Sequence, residues 1–223
     1  MSAMMQAGND DVGYIRNGLV FQLDGIDKGT DNTSKWVDLV GGITFTEVGG
    51  NNIHDTNCIT LPGSRRLTGS SSPAFASTTH TIEIAMYPQQ VGWQGIVAFK
   101  PSSVALYQDG DNYIHGGYMQ GTSSNFPRTN GKVSTANKVY LLGFARGNYM
   151  LNGAYSTSTM ATANRSGMAS SVIGSLSSTA NSYTFKGKIY AIRVYNRLLT
   201  EDELRHNQQV DNERFNLNLT INT

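Results

Sequence analysis

The side chains best suited to chemistry in this chain are its acids, and their spacing does not bring two together. Hydrolysis by paired carboxyls needs them about 5 Å or roughly 6.5–9.5 Å apart. Glu83 is the one acid inside a clearly alternating strand, "HTIEIAMYP", and its neighbours on the same face are Thr81 and Ala85. Asp24 closes another strand, "GLVFQLDG", with no acid at a matching spacing. The expectation is therefore no catalytic residue. An enzyme that draws carboxylates from separate strands is the alternative, and in it Glu83→Gln would stop cleavage. The acidic triplet Glu201-Asp202-Glu203 has a structural use instead. Thr200 and Glu203 form a capping box, Leu199 and Leu204 a hydrophobic staple, and the acids face the positive end of a helix. His54, His80, His115 and His206 show no ligand spacing and read as surface or loop residues. Cys58, next to Ile59 and Leu61, reads as a buried inert thiol. Neither a Gly-x-Ser-x-Gly elbow nor a phosphate-binding glycine loop is present.

Two loops carry hard oxygen ligands of the kind calcium prefers. "DGIDKGTDN" offers Asp24, Asp27, Asp31 and Asn32, and "QDGDN" offers Asp109, Asp111 and Asn112. Neither has the spacing of an EF-hand loop, and Asp-Gly pairs also serve hairpin turns. Sugar binding calls for an aromatic platform with polar groups beside it. Trp93, Tyr107, Asp109, Asp111, Asn112, Tyr113 and Tyr118 fall within one short span, and Arg146 and Tyr149 lie on a separate hairpin. The competing reading is that several of these rings pack in the core.

The elements that must position these residues are strands. Short alternating segments recur at even spacing: "NCITLPGSRRLTG", "GIVAFK", "SVALYQ", "NYIHGGYMQ", "KVYLLGFARGNYMLNGAYS" and "SSVIGSL". That spacing predicts an all-β fold, a two-sheet antiparallel sandwich or jelly roll of ten to fourteen strands. The stretch "FKGKIYAIRVYNRLLTEDELRHNQ" predicts a long strand and then one short helix near Thr200–Gln209. On that strand Tyr190, Ile192 and Val194 read as core, and Ala191, Arg193 and Tyr195 face the other way. Ile189 breaks the alternation, which predicts a bulge or a two-sided burial near Gly187. One domain accounts for residues 14–215, after an arm at 1–13 and before a tail at 216–223. In the tail Phe215, Leu217, Leu219 and Ile221 alternate with Asn216, Asn218, Thr220 and Asn222, a strand pattern. It predicts pairing with the protein's own sheet or with the edge of a neighbouring subunit, so these four residues are the candidate assembly contacts.

Composition narrows the partners. Charged residues make up 15% and the net charge is +1, which gives no reason to expect nucleic acid. Arg65-Arg66 reads as a solvated strand end. No apolar run approaches a membrane span, so no membrane insertion is expected. The opening residues lack a signal-peptide pattern, so synthesis in a cytoplasm is expected. The sequons at Asn32, Asn164 and Asn218 matter only in a secretory route.

"FKGKIYAIRVYNRLLTEDEL" resembles the closing signature of laminin-G-like, concanavalin A-like jelly-roll domains, and other segments agree in order. "GLVFQLDG" is similar to the opening strand, "WVDLVGG" to the loop after it, "HTIEIAMYP" to the strand ending in Pro, and "YMLNGAYS" to a hairpin arm. The resemblance implies the jelly-roll fold over nearly the whole chain. It leaves function open, because the fold hosts lectins, adhesion modules, glycosidases and inert particle components. Glucanases on this fold carry a Glu-x-Asp-x-x-Glu or Glu-x-Asp-x-Glu strand, which this sequence lacks. A weaker likeness of "YIRNGLVFQLDGIDKG" and "HNQQVDNERFNL" to stand-alone domains of bacteriophages and gut bacteria implies display on a virion surface. The expected function is a non-catalytic recognition or decoration module, with a glycan or cell-surface polysaccharide as ligand. Other virion proteins and further copies of the chain are the expected assembly partners. A purely structural assembly protein and a polysaccharide-active enzyme are the alternatives.

Overall fold

The computed structural model describes residues 13–49, 53–73, 79–99, 104–118, 124–133, 135–163, 171–176 and 183–221. Sixteen strands and one helix lie among them. In chain order the strands begin β1 (Leu19–Asp24), β2 (Lys35–Val37), β3 (Thr44–Val48), β4 (Ile59–Pro62) and β5 (Arg66–Gly69). Next come β6 (Thr81–Pro88), β7 (Gln94–Phe99), β8 (Val104–Gln108), β9 (Ile114–Tyr118) and β10 (Ser124–Arg128). The series ends with β11 (Tyr140–Ala145), β12 (Asn148–Leu151), β13 (Ala154–Thr157), β14 (Thr159–Ala163), β15 (Val172–Ile173) and β16 (Lys186–Tyr195). The helix α1 spans Glu201–Arg214.

The strands form two antiparallel sheets. One has seven strands in the order β1-β16-β6-β11-β12-β13, with β4 also paired to β16. The other has nine, β14-β10-β9-β8-β7-β15-β5-β3-β2. The inward faces supply the core. Phe21, Ile84, Leu142, Ile192 and Val194 come from the first sheet, and Trp36, Phe45, Phe99, Leu106 and Ile114 from the second. Phe21 meets the rings of Phe45 and Phe99 edge-on at 5.8 and 5.0 Å, an arrangement that aromatic quadrupoles favour.

The irregularity expected in β16 lies slightly later than the sequence suggests. The pairing of β16 with β6 shifts between Ile189 and Ala191. That extra residue turns Ile189 into the main core and moves Tyr190 out to join Ala191 on the opposite face. The assignment of Tyr190 to the core face of Ile192 and Val194 is thereby corrected. Gly187 sits at φ +147°, and a Cβ there would come within 2.2 Å of the Tyr87 carbonyl, so no other residue fits.

The capping box is present. Thr200 Oγ1 accepts from the Glu203 N–H, and the Glu203 carboxylate accepts from the Thr200 N–H. The helix runs past the expected Gln209 to Arg214, and its buried face is polar, so it lacks the apolar stripe that marks a helix in sequence. Leu204, Asn207, Gln208 and Asp211 recur at helical spacing, but only the first is apolar. This face covers the outer surface of the seven-stranded sheet. There Arg193, 1% exposed, donates from Nε to Glu83 (3.0 Å) and from both terminal nitrogens to Asp211 (2.7 and 2.6 Å). Tyr14 donates its hydroxyl to Asp211, and Asn207 donates to Glu83 and to the Tyr195 hydroxyl.

The tail corrects a second expectation. Residues 217–221 keep the two-residue alternation but form no strand. Asn216 and Asn218 take left-handed backbones, φ +53° and +55°, which asparagine tolerates better than most residues. Leu217, Leu219 and Ile221 are half-buried on the chain's own Cys58, Ala85, Leu141, Tyr190 and buried Phe215. The Asn212 side chain exchanges two hydrogen bonds with Leu219, and Asn57 donates to the Phe215 carbonyl. The four candidate assembly residues therefore pack within the chain.

Candidate functional site

The Asp109–Tyr113 turn between β8 and β9 is built by one carboxylate. Asp109 Oδ1 accepts the N–H groups of Asp111 and Tyr113, both at 2.9 Å, and Asn112 bends at φ +69°. Asp109 Oδ2 lies 2.7 Å from His115 Nε2. His115 is a buried strand residue, not the surface histidine expected, and His80 is buried as well. Opposite His115 in the ladder stands Tyr107, and the two rings stack 4.6 Å apart and 5° from parallel.

Trp93 extends this stack outward. Its ring lies parallel to Tyr107 within 6° at 6.2 Å, while 46% of the residue stays exposed. Tyr107 itself is 1% exposed and backs the indole from beneath. The close approach of the turn requires glycine, since a Cβ on Gly110 would sit 2.7 Å from Trp93 Nε1. Tyr183 completes the surface. Its ring tilts against Trp93 at 6.1 Å, and it is 53% exposed. Its backbone lies at φ +59°, where an aromatic residue is strained, and its carbonyl accepts from Gly95 N–H at 2.7 Å. Strain of this kind concentrates at working sites. Past His115 the same cross-strand row continues to Arg128, whose guanidinium lies 4.2 Å over the Tyr113 ring. Lys132 Nζ is 5.3 Å from that ring.

The structure thus gathers Trp93, Tyr107, Asp109, Asp111, Asn112 and Tyr113 around one turn. Tyr118 pairs with Val104 in the same sheet, and its side chain lies outside the described residues. Arg146 and Tyr149 stand on the other sheet. Tyr149 is 5% exposed, and its hydroxyl accepts from the Asn130 N–H, so it is a core ring that anchors a loop. Arg146 lies exposed at the β11–β12 turn. Sequence reasoning missed Tyr183, Arg128 and Lys132. Tyr183 precedes β16 by only three residues and gave no periodic signal, and the two cations are isolated in sequence.

The other candidates have structural partners. Asp24 is fully buried and accepts from Arg214 at 2.8 and 3.0 Å and from the N–H groups of Ile26 and Asp27. Those bonds take up the lone pairs a calcium ion would need. Asp27 accepts from Gly29 N–H, and Asp31 is exposed. Among the described residues no group of three or more His, Cys, Asp or Glu side chains is placed to hold a metal ion. Glu83 is enclosed beneath α1. Burial pushes its carboxyl up to about 7 despite the nearby Arg193. Cys58 is buried, and burial raises its thiol above the usual value. Arg66 is buried, which corrects its reading as a solvated strand end, and Arg65 lies 3.6 Å from Glu47. No helix among the described residues is long and apolar enough to cross a membrane.

Comparison with solved structures places the two sheets in a known architecture. Domain 4 of an extracellular arabinanase from Geobacillus stearothermophilus, solved in complex with arabinotriose, matches with a TM-score of 0.62 at 16% identity. The match covers 88% of this chain and 100% of that one. The chain has the concanavalin A-like jelly-roll fold. A sialidase of Trypanosoma rangeli in complex with sialic acid matches this jelly roll with a TM-score of 0.53 at 15% identity. That match covers 88% of this chain but only 33% of the sialidase. At these identities the likeness concerns the fold. No family model and no curated protein matches the sequence.

Proposed function

We propose that this jelly roll is a non-catalytic glycan-recognition module whose ligand stacks on Trp93 and Tyr183. The observation that carries the reading is the exposed indole held parallel to the buried Tyr107 ring, with a second exposed ring beside it. A rigid, partly desolvated aromatic surface offers the apolar face of a sugar ring a partner without an ordering cost. The arabinotriose on the arabinanase domain supports the ligand class by analogy of fold. The non-catalytic part of the reading draws on Glu83, which lies under α1 and out of reach of a polysaccharide. Display on a virion rests on the sequence resemblance alone.

The test is a glycan array followed by titration of the best binder with wild type and Trp93→Ala. The substitution is expected to cost about 2 kcal/mol, roughly thirtyfold in affinity, as truncating an aromatic anchor does. The unfolding midpoint should stay put, because the indole is half exposed. An array blank at high protein concentration, or an unchanged affinity in Trp93→Ala, would overturn the proposal.

A further inference from the structure

One cation beneath α1 is shared by two carboxyls, and the donors are divided unequally between them. Asp211 receives both terminal nitrogens of Arg193 and the Tyr14 hydroxyl, so each of its oxygens has a partner. Glu83 receives Arg193 Nε at 3.0 Å and Asn207 Nδ2 at 2.8 Å, both on Oε2. Its Oε1 is buried and has no hydrogen-bond partner among the described residues. Gly143 stands opposite Glu83 in the ladder and offers that oxygen no side chain. A Cβ on Gly143 would lie 2.7 Å from Leu204 and 3.5 Å from Glu83 Oε1, so Leu204 of α1 closes the space beside it. A buried oxygen without a donor is far less costly on a neutral acid than on a carboxylate. The geometry therefore puts a proton on Glu83 and not on Asp211. Arg193 and Asp211 make the ion pair, and Glu83 joins them as a neutral acid.

We propose that Glu83 is a proton-operated catch for α1. Protonated, it holds the helix and the segment 13–16 on the seven-stranded sheet; ionised, it loosens them while the sandwich stays folded. The groups that face it are Arg193 and Tyr195 from β16, Asp211 and Asn207 from α1, and Tyr14 from the segment before β1. Only Arg193 is a cation. Ionised Glu83 sets a second anion against Asp211 in a dry interface, where one guanidinium does not balance both. The repulsion acts between β6 and α1, so movement of the helix relieves it. The segment 13–16 moves with the helix, because Tyr14 bonds Asp211, the Ile15 N–H bonds Asn207, and His206 Nε2 lies 2.6 Å from the Gly13 carbonyl. Gln208 still holds Gly153 and Leu141, and Arg214 still holds Asp24, so the helix opens more often but does not leave. Burial pushes the Glu83 carboxyl up to about 7 from its usual 4.5. The hold is therefore complete below about pH 4.5 and is lost as pH rises through about 7.

The test is amide hydrogen exchange of the full chain, read by mass spectrometry near pH 6 and near pH 8.5. Rates are corrected for the intrinsic effect of pH on exchange. In wild type the amides of α1 and of residues 13–16 should open about tenfold more often at the higher pH. That factor is the one set by a carboxyl at about 7 when closed and 4.5 when open. Amides of β7 and β8 should keep their protection. In Glu83→Gln the pH dependence at α1 should vanish, since the amide oxygen still accepts from Arg193 and Asn207 and nothing titrates. Infrared spectra give a second readout. Near pH 6 wild type should show the C=O stretch of a protonated carboxyl, and Glu83→Gln should lack it. Equal protection of α1 at both pH values would overturn the proposal. So would a loss spread evenly over both sheets, a pH effect that survives in Glu83→Gln, or a wild type without the carboxylic band. If Glu83→Gln does not fold, the wild-type exchange and the infrared band still decide. No ligand enters these measurements, so their outcome is separate from that of the glycan array.

Discussion

Replacing Arg193 with Met tests whether the buried ionic network docks the helix on the seven-stranded sheet. The substitution removes three charge-assisted hydrogen bonds, one to Glu83 and two to Asp211, and leaves both carboxyls inside the protein. Each such bond contributes about 1.5–3 kcal/mol, but the donors that remain reduce the sum. Tyr14 still donates to Asp211, and Asn207 still donates to Glu83. The net loss should approach the about 3–5 kcal/mol typical of a buried pair that loses one partner. The sign of the pH dependence follows from Glu83. Its carboxyl lies at about 7 with Arg193 present, above the usual 4.5, and removing the cation raises it further. The folded variant then holds a proton that the unfolded chain releases, so its stability falls as pH rises above about 4.5. The deficit relative to wild type should therefore be largest near pH 8 and smaller near pH 5. Urea unfolding followed by the fluorescence of buried Trp36 measures it. A loss below about 1 kcal/mol at pH 8, or the same loss at both pH values, would refute the assignment. Adding Glu83→Gln and Asp211→Asn to Arg193→Met should recover much of the stability, since the stranded charges are then gone.

Glu83→Gln alone should flatten a wild-type decline in stability between about pH 4.5 and 7, because the group that takes up the proton on folding is removed; pH-dependent thermal unfolding checks this. Thr200→Ala should cost about 1 kcal/mol by removing the helix cap, read from urea midpoints. Its cap partner Glu203, held at about 2 by hydrogen bonds from Arg197, contributes stability that is present above its usual 4.5 and lost as pH falls toward 2. Truncation after Phe215 should leave the oligomeric state seen by light scattering unchanged and cost no more than about 2 kcal/mol, since burial of the three apolar side chains is largely offset by the ordering of their backbone. A change in oligomeric state would restore the tail to an assembly role. Gly110→Ala should weaken glycan binding by displacing Trp93, with the thermal midpoint moving by less than it does in Gly187→Ala, where the added methyl meets backbone.

The sandwich was legible because its inner faces obey simple alternation. Ile82, Ile84 and Met86 point inward from β6, and the capping residues Thr200 and Glu203 announce α1. What misled was polarity in places that are buried. Arg193 reads as facing away from the core and Glu83 as a possible catalytic acid, yet with Asn207 and Asp211 they bond to one another under the helix. The tail misled for the opposite reason. Its alternation is real, but left-handed asparagines at 216 and 218 interrupt the extended backbone, and a period of two in the sequence does not reveal that. Of the candidate site, Trp93, Tyr107 and the Asp109 turn are close in sequence and could be grouped by spacing. Tyr183 and Arg128 join them only through strand pairing, which the sequence does not state.

The two outer faces of the sandwich differ in what covers them, and this bears on where the proposed ligand can sit. On the seven-stranded sheet the outer face is closed by α1 through Arg193 and Gln208, by the Asp24–Arg214 pair, and by the tail on Tyr190 and Leu141. A ligand there would have to displace a helix held by buried charge, at a cost of several kcal/mol. The nine-stranded sheet carries no such helix among the described residues, and its outer row runs from Trp93 through Tyr107 and His115 to Arg128. Its rings are already parallel, and its turn is already fixed by Asp109. A ligand on its exposed end, at Trp93 and Tyr183, would order little that is not ordered beforehand. The acids that first suggested catalysis, Glu83 and the Glu201–Glu203 triplet, all belong to the closed face. The proposed recognition role therefore looks to the face where the rings of Trp93 and Tyr183, and not paired carboxyls, meet solvent.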